Sequence, residues 1–202
     1  HIAYLKISEG CSKKCSFCAI PMIRGPLKSN TPESILAEAQ VLVDRGVQEL
    51  VLVAQNLLDY GNDLKNKKEA NIIKLIDALA KKFKKTWIRL QYAYPEQITS
   101  ELLAVMKKHK NICPYLDIPI QHTSSRILKN MHRPHNFEKL IKTMELIRKN
   151  IPNIFLRTSI IIGFPGETEK EFKELLAFLK AHPFHYVGFF GYSDEEDTAA
   201  IK

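Results

Sequence analysis

"FLRTSIIIGFPGETEKEF", residues 155–172, is the stretch that decides the fold class. Residues 155–162 are an apolar, β-branched run of strand length, and "GFPGE" (163–167) stops it with two glycines and a proline. "TEKE" (168–171) then reads as a capping box, Thr168 with Glu171, opening a helix that runs to about Lys180. Strand, short loop and capped helix make one βα unit, and the pattern recurs outward in both directions. Other strands are expected at 3–7, 49–54, 87–92, 115–119 and 185–191. Helices are expected over 71–84, 99–109, 124–131 and 136–149, with a break near Pro134. A further helix is N-capped by Thr31, starts at Pro32 and stops at Gly46. About six such units imply a parallel sheet with right-handed crossovers, either an open doubly wound sheet or a partial barrel.

The unusual residues gather where strands end. Three cysteines, Cys11, Cys15 and Cys18, follow the first strand. Gln55 and Asn56 end the second, Tyr94–Glu96 the third, and Gln121 and His122 the fourth. "GFPGE" follows the fifth and "YSDEED" (192–197) the sixth. Parallel α/β folds build their sites at the C-terminal ends of strands, so six such clusters predict one shared site.

Composition sets outer bounds. The 202 residues are 45% hydrophobic and 26% charged, ordinary for one globular domain that buries its own core. No apolar run approaches the roughly 20 residues needed to span a bilayer, and no secretory signal is expected. Together with clustered, unpaired cysteines this predicts a cytoplasmic protein with no membrane partner. The net charge of +8 comes from "KNKK" (65–68), "KKFKK" (81–85) and "KKHK" (107–110), which read as solvated helix surface and permit an RNA partner without requiring one.

"EGCSKKCSFCAIP" (9–21) carries the chemistry. Three thiols are too few for a closed zinc site unless Cys113 or a histidine such as His122 completes it. The Cys15–Cys18 spacing fits a thioredoxin-like pair, which leaves Cys11 idle. Three thiolates suit an iron–sulfur cluster with one iron left open for a small molecule. An electron-transfer iron–sulfur protein and a zinc-stabilised RNA-binding module are therefore the competing classes. His132 and His135 read as turn or surface residues, and Cys113 as an inert buried thiol.

The C-x3-C-x-F-C spacing, with Phe17 before the last cysteine, resembles the signature of the radical S-adenosylmethionine superfamily. That resemblance implies an α/β fold, a partial (βα)6 TIM-like barrel, with a 4Fe-4S cluster on Cys11, Cys15 and Cys18. It also implies S-adenosylmethionine on the open iron and a 5′-deoxyadenosyl radical that abstracts substrate hydrogen. "KISEGCSKKCSFCAIPMIRGPLKS" (6–29), "DIPIQH" (117–122), "RILKNMHRP" (126–134) and "IIGFPGETEKEF" (161–172) resemble the methylthiotransferases of that superfamily. "LQYAYP" (90–95) and "PYLDIPIQH" (114–122) resemble the branch acting on a ribosomal-protein aspartate. A small-subunit ribosomal protein is thus the implied substrate, with tRNA as the rival and a flavodoxin or ferredoxin as reductant. The family also carries an N-terminal domain holding a second cluster and a C-terminal TRAM barrel, so the chain reads as the catalytic core of a longer protein.

Beyond the cysteines, Phe17 is implied to pack near the adenine. Gln55 and Gln121 are candidate cofactor or substrate contacts. Arg157, in an otherwise apolar strand, is expected to meet a ligand carboxylate across the lumen, or else to pair with Asp117 or Glu167. Gly163 is expected to let backbone approach the cofactor closely.

Overall fold

The computed structural model describes residues 1–65 and 70–201, so Asn66, Lys67 and Lys68 of the first basic run lie outside the described residues. Strand β1 (Ile2–Lys6) leads into a two-residue β2 (Ser8–Glu9), the cysteine loop, a short α1 (Ile20–Arg24) and β3 (Lys28–Ser29). Then come α2 (Pro32–Asp44), β4 (Glu49–Val53), α3 (Ile72–Lys82), β5 (Trp87–Leu90) and α4 (Ser100–Lys108). The chain continues through β6 (Ile112–Asp117), α5 (Ser125–Asn130), α6 (Phe137–Asn150), β7 (Phe155–Ile162), α7 (Glu169–Ala181) and β8 (Tyr186–Gly191).

Six strands form one all-parallel sheet in the order β1-β4-β5-β6-β7-β8, which is simply chain order. A doubly wound sheet would reverse direction at a switch point; this one never does, so the winding is that of a partial barrel. The pair β2–β3, antiparallel, was not anticipated and folds the cysteine loop back on itself.

Side-chain alternation assigns the two faces. Leu5, Leu50, Leu52, Ile88, Leu90, Leu116, Leu156 and Ile160 point to the helices and are fully buried or nearly so. They pack with Ile35, Ile76, Leu79, Leu102, Leu140 and Leu175 from the helical layer. The opposite, inner face carries Lys6, Arg89, Tyr115, Asp117 and Arg157, residues that serve a site rather than a core.

The helix signals hold. Thr31 caps α2 through Ser34 N–H with Pro32 at the first turn, and Thr168–Glu171 forms the full capping box of α7. Strand β6 starts three residues earlier than its sequence suggests, with Pro114 inside it. The register between β5 and β6 is irregular there, and β7 pairs only from Tyr115 onward, so the missing N–H has no ladder bond to break. The basic runs end helices: Lys81 and Lys108 both reach Asp77, with His109 beside them. Among the described residues no helix is long and apolar enough to cross a membrane.

Candidate active site

The cysteine loop is anchored from both sides. Cys11 N–H donates to Gly25 O at 3.0 Å, and Gly10, at φ +75°, lets the loop pass Pro26, whose carbonyl would lie 2.2 Å from any Cβ there. On the far side Ser16 N–H donates to Met131 O (3.1 Å) and Ser16 Oγ to Asn130 O (2.7 Å). His132 Nδ1–H donates to Lys14 O at 3.0 Å, and Ala200 N–H to Ser16 O at 2.8 Å. Lys13 Nζ reaches Asp59 at 3.4 Å, and Asp59 is itself held by Gln97, which takes a bond from buried Asn56.

All four cysteines are free thiols. Burial pushes the Cys11 and Cys18 thiols up, against the backbone N–H groups of Lys13 and Ile20, which favour the thiolate. Around Cys15, Tyr94 Oη lies 3.5 Å from the sulfur and Arg133 Nη1 lies 3.8 Å away. Arg133 is 5% exposed and sits over the Tyr94 ring, 3.7 Å from its centroid. Burial, more than any neighbour, drives the Tyr94 hydroxyl far up, so it stays a donor.

The thiols fit a cluster better than the alternatives. Cys113 lines a separate cleft with Glu49, Trp87, Arg89 and Phe155 near the strand starts, at the other end of the sheet. His122 is fully buried, accepts Ser124 N–H at Nδ1 (2.9 Å) and faces Glu167 through Nε2 (3.3 Å). Neither can close a zinc site with the loop. Among the described residues no three Cys, His, Asp or Glu side chains gather as around one ion. A multi-iron cluster bonds each thiolate to a different iron and requires no such convergence. A buried guanidinium against Cys15 also matches a sulfur that carries negative charge.

Cys11 and Cys18 open on a cleft of about 360 Å³, walled by Lys6, Ser8, Val53, Gln55, Tyr92 and Tyr94. The first three strand ends thus meet in one place. Gln55 lines this cleft, donates to Glu9 at 2.9 Å and keeps a buried Oε1 without a partner. Other candidates lie elsewhere. Gln121, at φ +66°, bridges Ile160 through its backbone. Gly163 borders a second, smaller cleft beside Glu167 and Phe172, and its N–H is taken by Glu167. Phe17 packs with Ile127, Leu128, Met131 and Phe164, pinning the loop rather than lining the cleft.

Of the alternatives for Arg157, the structure shows the pair with fully buried Asp117, Nη1 to Oδ2 at 2.6 Å, the two occupying paired positions of β6 and β7. One expectation is corrected. His135 is no surface residue; it is 3% exposed, with Nε2 3.3 Å from Ile120 O and Nδ1 3.4 Å from Glu96. Arg133 was passed over because "HRPH" reads as a turn. Its surroundings, Tyr94, Cys15 and Pro119, are remote in sequence, so no local signal marked it.

Comparison with known proteins identifies the family. Residues 5–179 match the Radical SAM superfamily. The chain is 48% identical over 200 residues to the ribosomal protein uS12 methylthiotransferase RimO of Protochlamydia amoebophila (strain UWE25), covering 99% of this chain and 42% of that protein. It is 50% identical over 202 residues to the protein of that name from Clostridioides difficile (strain 630), covering 100% and 45%. The chain therefore spans less than half the length of these relatives. In fold it is similar to the radical S-adenosylmethionine methyltransferase TsrM from Kitasatospora setae, solved with cobalamin and a 4Fe-4S cluster bound. That likeness has a TM-score of 0.75 at 15% identity, over 94% of this chain and 36% of that one. Methylornithine synthase (PylB) gives 0.66 at 13%, over 98% and 55%. From the sequential parallel sheet, the three-thiol loop at its mouth and the match across 5–179, it follows that the chain belongs to the radical SAM superfamily.

Proposed function

We propose that this chain is the radical-generating core of a methylthiotransferase that modifies the β-carbon of an aspartate in ribosomal protein uS12. The observation that carries this reading is the cysteine loop, fixed from both sides and opening on the 360 Å³ cleft. Likeness along the whole chain to the uS12 methylthiotransferases supports the substrate. A 4Fe-4S cluster and S-adenosylmethionine, when bound, supply the one-electron cleavage that attacks a C–H bond beyond the reach of acid–base chemistry.

The chain's own residues do the holding. Cys11, Cys15 and Cys18 bind the cluster. Gln55 offers its unpartnered Oε1 to a donor on the ligand. Val53, Ala54, Ile20 and Tyr92 give the cleft walls that keep water from the reacting centre. Gln121 and Gly163, outside the 360 Å³ cleft, are assigned to further contacts at the ends of β6 and β7, while Phe17 acts through the loop it anchors. A flavodoxin- or ferredoxin-class protein is the reductant, and a second cluster would need cysteines beyond the four present.

Anaerobic reconstitution followed by EPR tests the core: a four-iron signal must form and change when S-adenosylmethionine is added, with 5′-deoxyadenosine released. A cluster indifferent to S-adenosylmethionine would make this an electron-transfer protein, and tightly bound zinc a structural one. Mass spectrometry of uS12 and of tRNA from cells lacking the full-length protein tests the substrate. Loss of the methylthio group from tRNA alone would overturn the uS12 assignment.

A further inference from the structure

We infer that Arg133 is a positioning residue for the cluster: its guanidinium, stacked on Tyr94, presents a charged N–H to Cys15 and makes the reduced cluster easier to form. This rests on the radical SAM reading of the cysteine loop.

Local structure explains how the arginine gets there. Helix α5 ends in a Schellman turn, with His132 in the left-handed region (φ +54°). His132 N–H donates to Lys129 O at 3.0 Å, and Arg133 N–H to Leu128 O at 2.8 Å. The reversal turns Arg133 beneath the cysteine loop, and Pro134 prevents the helix from continuing.

The charge there has little else to face. Nη2 donates to the neutral carbonyl of Pro119 at 3.1 Å, and Nε is buried without a partner. Among the described residues no carboxylate forms an ion pair with Arg133; Glu96 feels it only at longer range. A guanidinium that is 5% exposed needs a negative partner close by, and the group within hydrogen-bonding reach is the sulfur of Cys15. The three thiols are unequal in this respect. Cys11 receives the neutral Lys13 N–H at 3.5 Å and Cys18 the neutral amide of Ile20 with Arg133 at longer range, whereas Cys15 has the cation and a phenol both within hydrogen-bonding reach.

A cluster held by three thiolates becomes one unit more negative when reduced. Charge-assisted N–H···S bonds favour the more negative state, and hydrogen bonds to cluster sulfurs are a recognised lever on reduction potential. Arg133 therefore acts on electron acceptance without touching substrate.

The test is EPR-monitored potentiometry of the reconstituted protein, with iron and sulfide measured per chain. In Arg133→Met, which keeps an apolar stem, the reduced form should be disfavoured at least tenfold, a shift of about 59 mV to more negative potential. Iron content should match the wild type. Arg133→Lys should fall between the two, and Tyr94→Phe should shift in the same direction by less. A fully loaded Arg133→Met protein with wild-type potential would overturn the inference. If that variant fails to fold or load, unchanged potentials in both Arg133→Lys and Tyr94→Phe overturn it instead. A wild-type chain that takes up no cluster overturns the radical SAM reading itself, a result distinct from either.

Discussion

Arg157 and Asp117 face each other across β6 and β7 with 2.6 Å between Nη1 and Oδ2, on the inner surface of the sheet. Asp117 is fully buried, whereas the arginine side chain is 29% exposed. Burial raises the Asp117 carboxyl, and Arg157 counters that rise. Arg157→Met leaves a buried carboxylate unpaired and should cost about 3–5 kcal/mol of unfolding free energy, measured by denaturant titration. The double variant Arg157→Met, Asp117→Asn should recover part of that loss. If Arg157→Met alone is neutral, the pair is not structural and the arginine is available to a ligand.

Cysteine replacement separates the loop from the remaining thiol. Cys15→Ala should abolish cluster binding and the cleavage of S-adenosylmethionine. Cys113→Ala, in the cleft near the strand starts, should leave both intact. Iron content and 5′-deoxyadenosine release are the readouts, and retained cleavage in Cys15→Ala would refute the ligand set.

Gly10→Ala tests the approach of the loop to Pro26. The position has φ +75°, and a Cβ would lie 2.2 Å from Pro26 O, so backbone has to move. A loss of more than about 1 kcal/mol is expected, with reduced iron uptake. Thermal unfolding and iron analysis check it. Gly25→Ala is the control: its φ is equally positive, but open space lies around it, so the strain comes without the collision.

Acid stability should depend on Glu171. Its carboxylate is held down to about 2, first by Arg126, against burial, and then by Ser124 and Thr168. An unfolded glutamate titrates near ~4.3. The folded value is the lower one, so the contribution is fully present above ~4.3 and is lost as pH falls toward 2. Melting temperature measured from pH 6 down to 2.5 should drop more steeply in the wild type than in Glu171→Gln. Parallel curves would rule the assignment out.

Much of this was readable from residues alone because local rules and tertiary fold agree. The run 155–162 became β7 with the same ends, and the Thr31 and Thr168 caps sit where their side chains predict. Strand β6 begins earlier than expected, and Pro114 is tolerated there because the β5–β6 register is irregular and β7 pairs only from Tyr115 onward. Arg133 was passed over and His135 misread for a common reason. Their environment is made by Tyr94, Glu96 and Ile120, which are remote in sequence, so no local pattern reports their burial. The meeting of Cys11 with Gln55 and Tyr94 was legible as strand-end placement, whereas the exclusion of Phe17 from that cleft depends on α5 packing.

The bonds that pin the cysteine loop reach far along the chain. Ser16 depends on Asn130, 114 residues on, and Lys14 on His132, 118 residues on. Three more strands of the sheet, β4, β5 and β6, lie between β1 and the residues that hold the loop. Zinc fingers fold around their metal, the ion serving as nucleus. Here the thiols are placed by segments remote in sequence, so a change near Asn130 or His132 is expected to disturb the loop as much as one beside the cysteines.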